Sequence, residues 1–222
     1  MKHFLFTTYF YNSDRGNTLA ARRQKEYDYC LLKNMHAGFD GIYLLVEEKD
    51  YEVALSYGVN VIKLEKRPTF QDFFHFISRK EFSESINVVS NADIYFENFI
   101  EIDKFYENRA PNKEQTCLAL TRWDWSPTRG SDLFDRVDSQ DVWVVYGNRL
   151  CEKVEANFSM GIAGCDNRLA HQLQEAGYVL YNPSKKIKTF HYHDTKFRTN
   201  NLDDGKPKET IPPPYLLLPP TE

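Results

Sequence analysis

Along the 222 residues short apolar runs alternate with amphipathic stretches, and that alternation predicts most of the elements. Phe4 to Phe10 is rich in β-forming residues and ends in the polar turn Asn12-Ser13-Asp14-Arg15-Gly16. Thr18 to Met35 follows with helical spacing, which puts Leu19, Tyr27, Leu31, Leu32 and Met35 on one face. Gly38 and Gly41 interrupt the pattern before a short buried strand, Ile42 to Val46. Tyr51 to Tyr57 reads as a helix closed by Gly58, Val59 to Leu64 as a strand, Thr69 to Ile77 as a Phe-rich helix, and Ile86 to Val89 as a fourth strand. Strand and helix alternate through this half, the pattern of parallel βαβ units in an open sheet.

The second half has a different rhythm. Thr116 to Thr121 and Asp141 to Tyr146 are predicted strands joined by a polar loop containing Gly and Pro. Asn167 to Ala176 is a predicted helix, with Asp166 placed as its N-cap and Gly177 at its end. Tyr178 to Tyr181 and Ile187 to His193 are two further strands. From residue 201 the chain becomes polar and then proline-rich, which excludes a helix there and predicts an extended tail over 201–222 that wraps the domain. The expected organisation is a single α/β domain over 1–200, with 1–110 forming a nucleotide-binding half and 111–200 an acceptor half.

Composition narrows the function. Apolar residues make up 41% and aromatics 15%, enough for a substantial core rather than a disordered chain. The net charge of -4 argues against a nucleic-acid partner, which would call for a basic face. Cys30, Cys117, Cys151 and Cys165 lie far apart with no C-x-x-C pair, so neither a zinc knuckle nor a disulfide framework is expected, and a reducing cytoplasm is. The apolar start, Phe4-Leu5-Phe6, is too short for a signal peptide, and no later run is long enough to span a bilayer.

The chemistry centres on Ile86-Asn87-Val88-Val89-Ser90-Asn91-Ala92-Asp93. An apolar strand runs into polar groups there, and in a parallel sheet such carboxyl ends are where ligands bind. Asn91 and Asp93, two apart, share a side of an extended chain. Asp93 either caps a turn or supplies a carboxylate to a divalent cation that also touches a diphosphate. Asn91 bonds a ribose or orients the turn. Asp166 is either a helix cap or a base held ionised by the helix dipole. His191 and His193 alternate on a strand, so both face one way and could join Asp93 around a metal, with His191 the first choice.

The order of segments Gly164-Cys165-Asp166-Asn167-Arg168-Leu169, Ala176-Gly177-Tyr178, Asn182-Pro183 and His191-Tyr192-His193 resembles the C-terminal signature of GT-A-fold, family 2-like glycosyltransferases. In that family an acidic pair opens a helix and a strand ending in histidine closes the domain. Ser90-Asn91-Ala92-Asp93 stands where the family's D-x-D lies, with Asn91 in place of the first aspartate, and Cys165 replaces the first acid of the pair. The resemblance implies a Rossmann-like mixed sheet flanked by helices. It also implies a nucleotide-sugar donor, a glycan or other hydroxyl acceptor, Mn²⁺ or Mg²⁺, Asp166 as the base of an inverting transfer, and a place in polysaccharide biosynthesis.

Other residues complete the expected site. Thr7, Thr8 and Tyr9 end the first strand, where the nucleoside lies in such folds, and Ala92 sits within the turn beside the donor. Arg67, between a strand and a helix, is a donor contact. Arg22 and Arg23 either reach a phosphate or form a solvated face. Trp123, Asp124 and Trp143 suit a sugar acceptor by stacking and hydrogen bonding, although Trp143 suits a core position equally. Asp141 is the alternative base. Two other readings compete: a sugar nucleotidyltransferase, or a non-catalytic nucleotide-sugar-binding module. Against the former, the first strand is followed by Thr-Thr-Tyr-Phe-Tyr-Asn-Ser rather than a glycine-rich loop.

Overall fold

The structure, a computed structural model, describes residues 1–12, 18–150, 154–192, 202–203, 206–207 and 209–222. In chain order the first half runs β1 (Lys2–Thr7), α1 (Thr18–Met35), β2 (Gly41–Glu47), α2 (Glu48–Leu55), β3 (Asn60–Leu64), α3 (Phe70–Ile77), β4 (Ser85–Ser90), β5 (Ile94–Tyr95) and α4 (Ile100–Asn108). The second runs β6 (Thr116–Leu120), β7 (Trp123–Ser126), β8 (Gly130–Leu133), β9 (Val142–Tyr146), α5 (Cys165–Glu175), β10 (Val179–Tyr181) and β11 (Phe190–Tyr192). A two-residue pair, β12 (Leu202–Asp203) with β13 (Lys206–Pro207), follows.

Seven strands form one sheet in the order β10-β6-β9-β4-β1-β2-β3. β1 pairs in parallel with both β2 and β4, β2 with β3, and β6 with β10, while β9 runs antiparallel to β4 and β6. The chain builds outward from β1 to β3 and then returns to β1's other side as β4, so the strand order reverses between β1 and β4. Such a reversal opens a crevice at the strands' carboxyl ends. Thr7 at the end of β1 closes onto β4 by donating from Oγ1 to the Ser90 carbonyl at 2.8 Å.

Both faces of this sheet are covered, as parallel strands require. Alternate residues divide the core: Phe6, Val89, Trp143 and Val145 meet α3 and α5, while Leu5, Val88, Val144 and Ile86 meet α1, α2 and α4. α3 starts at a capping box, in which Thr69 Oγ1 accepts from the Asp72 backbone and Asp72 accepts from the Thr69 backbone. The fold is thus a single-domain, Rossmann-like α/β mixed sheet flanked by helices, as expected.

Three local expectations change. α1 buries Ala20, Tyr27, Cys30, Leu31 and Asn34, leaving Leu19, Leu32 and Met35 outside. Asn34 turns inward because its side chain donates to the Ile94 carbonyl at 2.8 Å and accepts from the Phe96 backbone at 3.0 Å. The loop between β6 and β9 contains the hairpin β7–β8, which with β5 and β11 makes a second sheet in the order β5-β11-β7-β8. The cap of α5 is Gly164, at φ 82°, so Asp166 lies inside the first turn and is not the N-cap. Among the described residues, no helix is long and apolar enough to cross a membrane.

Candidate functional site

The turn after β4 and the second sheet bring charged side chains together at the crevice between β1 and β4. Asp93 follows β4 by three residues and is 8% exposed. Its Oδ2 accepts from Arg23 of α1 and from His191 Nε2 of β11 at 3.1 Å. The other ring nitrogen, Nδ1, bonds Asp124 of β7 at 2.9 Å. Arg122 then donates from Nε to Asp124 at 2.8 Å and from Nη1 to both oxygens of Asp141, at 3.1 and 3.2 Å. Asn91 closes the circuit, its Nδ2 donating to Asp141 Oδ1 at 2.8 Å and its backbone N–H to the Asp141 carbonyl.

Register explains the convergence. His191 pairs with Asp124 across the parallel β11–β7 pair and with Ile94 across β5, so the three strands meet over Asp93. Val142 pairs with Ser90, which delivers Asp141 beside Asn91 although β9 runs the opposite way.

Protonation follows from these contacts. Burial would raise the pKa of Asp93, yet Arg23 and then His191 hold it well below the ordinary carboxylate range. Burial works against a charged His191, but Asp93 and Asp124 outweigh it and lift its pKa to about 9, so both ring nitrogens carry protons at neutral pH. Asp124 is likewise held low against burial by His191 and Arg122. Asp166 differs: burial and then the neighbouring Asp141 carboxylate push it up to about 8, despite a backbone bond from Gln140. Burial and the second carboxylate thus favour its protonated form, where the sequence had pointed to an ionised base.

The remaining expected residues separate. Thr8 follows the end of β1, and its Oγ1 is buried with no hydrogen-bond partner among the described residues. The Tyr9 hydroxyl is committed to Asp28 at 2.7 Å and to Tyr57 at 3.1 Å. Arg67 donates to the Met160 carbonyl at 2.5 Å and lies 5.4 Å from the Phe10 ring centre, leaving Nε unpartnered. Ala92 is half-buried within the turn. Trp123 is also half-buried, with Nε1 on the Ser184 carbonyl at 2.7 Å and Lys188 3.9 Å over its ring. Trp143, 2% exposed and edge-on to Phe70, is core and cannot meet an acceptor. Arg22 is exposed, whereas Arg23 points inward.

Sequence reasoning missed Arg122 and Glu26. Arg122 stands two residues from Asp124, which alternation puts on one side of a strand; that was its signal. Glu26 was hidden because a helical glutamate three residues after an arginine ordinarily reads as a solvated pair, yet it is fully buried.

A divalent ion at Asp93, His191 and His193 was expected. His193 lies outside the described residues, and Asp93 and His191 bond each other rather than a shared ligand position. Among the described residues, no three His, Cys, Asp or Glu side chains are arranged to hold a metal. With Arg23 and a protonated His191 both on Asp93 Oδ2, the site as built does not fit Mn²⁺ or Mg²⁺.

No protein-family model and no curated protein matches the sequence. The chain is similar in structure to the bifunctional IspDF from Campylobacter jejuni, with a TM-score of 0.47 and 11% identity over 87% of this chain and 50% of that one. It is also similar to the inositol-1-phosphate CTP transferase from T. maritima, with a TM-score of 0.45 and 14% identity over 86% and 89% of the two chains. A third, HddC from Yersinia pseudotuberculosis, gives a TM-score of 0.37 and 13% identity over 72% and 89%. None of the three is a glycosyltransferase. On this finding the expected family 2-like glycosyltransferase is corrected.

Proposed function

We propose that this chain is a nucleotide-dependent transferase of the nucleotidyl kind, joining a nucleoside monophosphate to a small phosphorylated acceptor. An acceptor phosphate oxygen would attack the α-phosphorus of a nucleoside triphosphate, the bond to the bridging oxygen would break, and pyrophosphate would leave. The observation that carries this reading is the protonation pattern of the crevice. Asp93, Asp124 and Asp141 are each bound to Arg or His cations, and burial beside Asp141 favours a proton on Asp166. A hydroxyl acceptor needs a carboxylate base to remove its proton; an acceptor phosphate is already ionised and needs none.

Charge placement supports the same reading. Arg23, Arg122 and the protonated His191 line the crevice, each paired with carboxylates that fix its position. Arg67, with its unpartnered Nε beside Phe10, is the proposed contact to the triphosphate. In this reading guanidinium groups do the work of the glycine-rich loop that the sequence lacks. Residues 1–110 supply the nucleotide side, with Thr7 and Thr8 at the strand end, and 111–200 the acceptor side, with Trp123 and Asp124. Cys30, Cys117 and Cys165 are buried free thiols, which supports a reducing, cytoplasmic setting.

The test is a thermal-shift screen of ATP, CTP, GTP and UTP, followed by pyrophosphate release with a panel of sugar and polyol phosphates. Stabilisation by at least one triphosphate, and pyrophosphate release that needs a phosphorylated acceptor, are expected. Failure of every triphosphate to bind would sink the proposal. Binding without pyrophosphate release would leave a non-catalytic nucleotide-binding module in its place.

A further inference from the structure

We infer that the segment 209–222 latches the crevice. Through its Leu218 carbonyl it fixes where the chain leaves the sheet after Leu120 and returns at Val142, and so positions Arg122 and Asp141. Two buried side-chain amides grip that carbonyl, Asn182 donating from Nδ2 at 2.8 Å and Gln140 from Nε2 at 3.2 Å. The segment's own N–H groups answer them: Leu218 donates to the Val137 carbonyl at 2.9 Å and Thr221 to the Asn182 carbonyl at 2.7 Å. Gln140 is wholly buried and Asn182 is 3% exposed, so water does not stand in for the Leu218 oxygen while the segment is seated. Withdrawing the segment leaves both amides short of an acceptor, which opposes its release.

Each amide carries the connection on towards the crevice. Asn182 Oδ1 accepts from the Thr121 N–H at 3.2 Å, and its Nδ2 also donates to Thr121 Oγ1 at 2.9 Å, which fixes the residue before Arg122. Thr121 Oγ1 in turn donates to the Ser139 carbonyl at 2.9 Å, tying the departing chain to the returning one. Gln140 is the residue before Asp141, and its Nε2 also donates to the Val137 carbonyl at 3.3 Å. Its Oε1 has no partner among the described residues, so the side chain is oriented by its donors alone. Behind each side of the Arg122–Asp141 ion pair thus stands an amide on the same Leu218 carbonyl, Gln140 directly and Asn182 through Thr121. Gln140 and Asn182 are positioning residues in this account. The inference concerns bonds of the resting chain and stands whether or not nucleotidyl transfer is the reaction.

Native-state hydrogen exchange of the full chain, read by NMR, tests it. In the wild type the Thr121 and Asp141 amides are expected to exchange no more slowly than those of Leu218 and Thr221, since release of the segment releases them. Leu216→Ala loosens the segment's packing on the core without altering Gln140 or Asn182. Gln140→Met removes one of the two donors, and circular dichroism establishes that each variant folds. Both are expected to speed exchange at Thr121, Asp141 and the Arg122 Nε–H by about fivefold or more, while the β2 and β3 amides keep their wild-type rates. Wild-type Leu218 and Thr221 amides that exchange more than about tenfold faster than Thr121 and Asp141 would overturn the inference, a result that depends on no variant. Folded variants with wild-type rates at Thr121 and Asp141 would overturn it as well. So would acceleration spread evenly through β2 and β3, which marks a general loss of stability.

Discussion

Asp166 is the residue whose environment departs furthest from what its sequence context suggests. Near the start of a helix an aspartate ordinarily stays ionised, favoured by the dipole. Here Asp141, itself held in place by Arg122 and Asn91, puts a second carboxylate opposite it, and burial weakens solvation of both. The folded chain thus keeps a proton on Asp166 up to about pH 8, while the unfolded chain loses it near the ordinary 3.8. Between those values the folded state binds more protons, so this residue's contribution is full below about pH 4 and is lost as pH rises through about 8. Asp166→Asn keeps an acceptor for the Gln140 N–H and removes the titration. It is expected to flatten the decline in stability between pH 4 and 8 and to raise stability at pH 8 by roughly 1–2 kcal/mol, a Tm gain of about 2–8 °C. Thermal melts across that range measure it, and a variant no more stable than the wild type at pH 8 would refute the assignment.

α5 depends on its N-cap residue having no side chain. Gly164 sits at φ 82°, and a Cβ there would lie 2.8 Å from both the Ile211 carbonyl and the Tyr215 hydroxyl. Gly164→Ala therefore meets backbone strain and a clash with the C-terminal segment together. We expect a loss of more than about 1 kcal/mol, measured by urea unfolding, with earlier proteolytic cleavage after residue 209. The position was not legible beforehand because a polar Asp166 nearby offered a commoner cap. Legibility elsewhere followed the strength of periodicity. α1, β2, β3, β4, β6 and β9 came out within a few residues because their apolar runs are continuous or their helical spacing is long. α4 was passed over although Ile102, Phe105 and Tyr106 stand at helical spacing, since the nine-residue helix is bounded by polar residues and short. β7 and β8 were hidden for another reason: they bury little, and pairing with β11 rather than local pattern makes them strands. The site divides likewise. Asp93, Asp124, Asp141 and His191 were named because their residue types are chemically suggestive, whereas Arg122 and Glu26 acquire meaning only from partners distant in sequence.

Across the whole molecule the segment 209–222 acts as a strap. Its backbone N–H groups bond Ala163, Asn167, Val137 and Asn182, and its Leu218 carbonyl accepts from Gln140 and Asn182. Ile211, Leu216 and Leu218 also pack on the core face that holds α5. Removing 209–222 exposes these three side chains' contacts, about 1 kcal/mol each, and strands the two amides. The expected result is a Tm lower by about 6–12 °C, by differential scanning calorimetry. An unchanged Tm would mean the strap is passive. The reversed strand β9 has a consequence of a different order. Leu120 and Val142 are paired neighbours, so everything from residue 121 to 141 leaves the sheet and re-enters it at one spot. That excursion carries Arg122, Trp123, Asp124 and Asp141, yet the sheet beneath it is complete without it. The segment has the geometry of an exchangeable cassette: its length and side chains can change without breaking the register of the seven-stranded sheet that carries it.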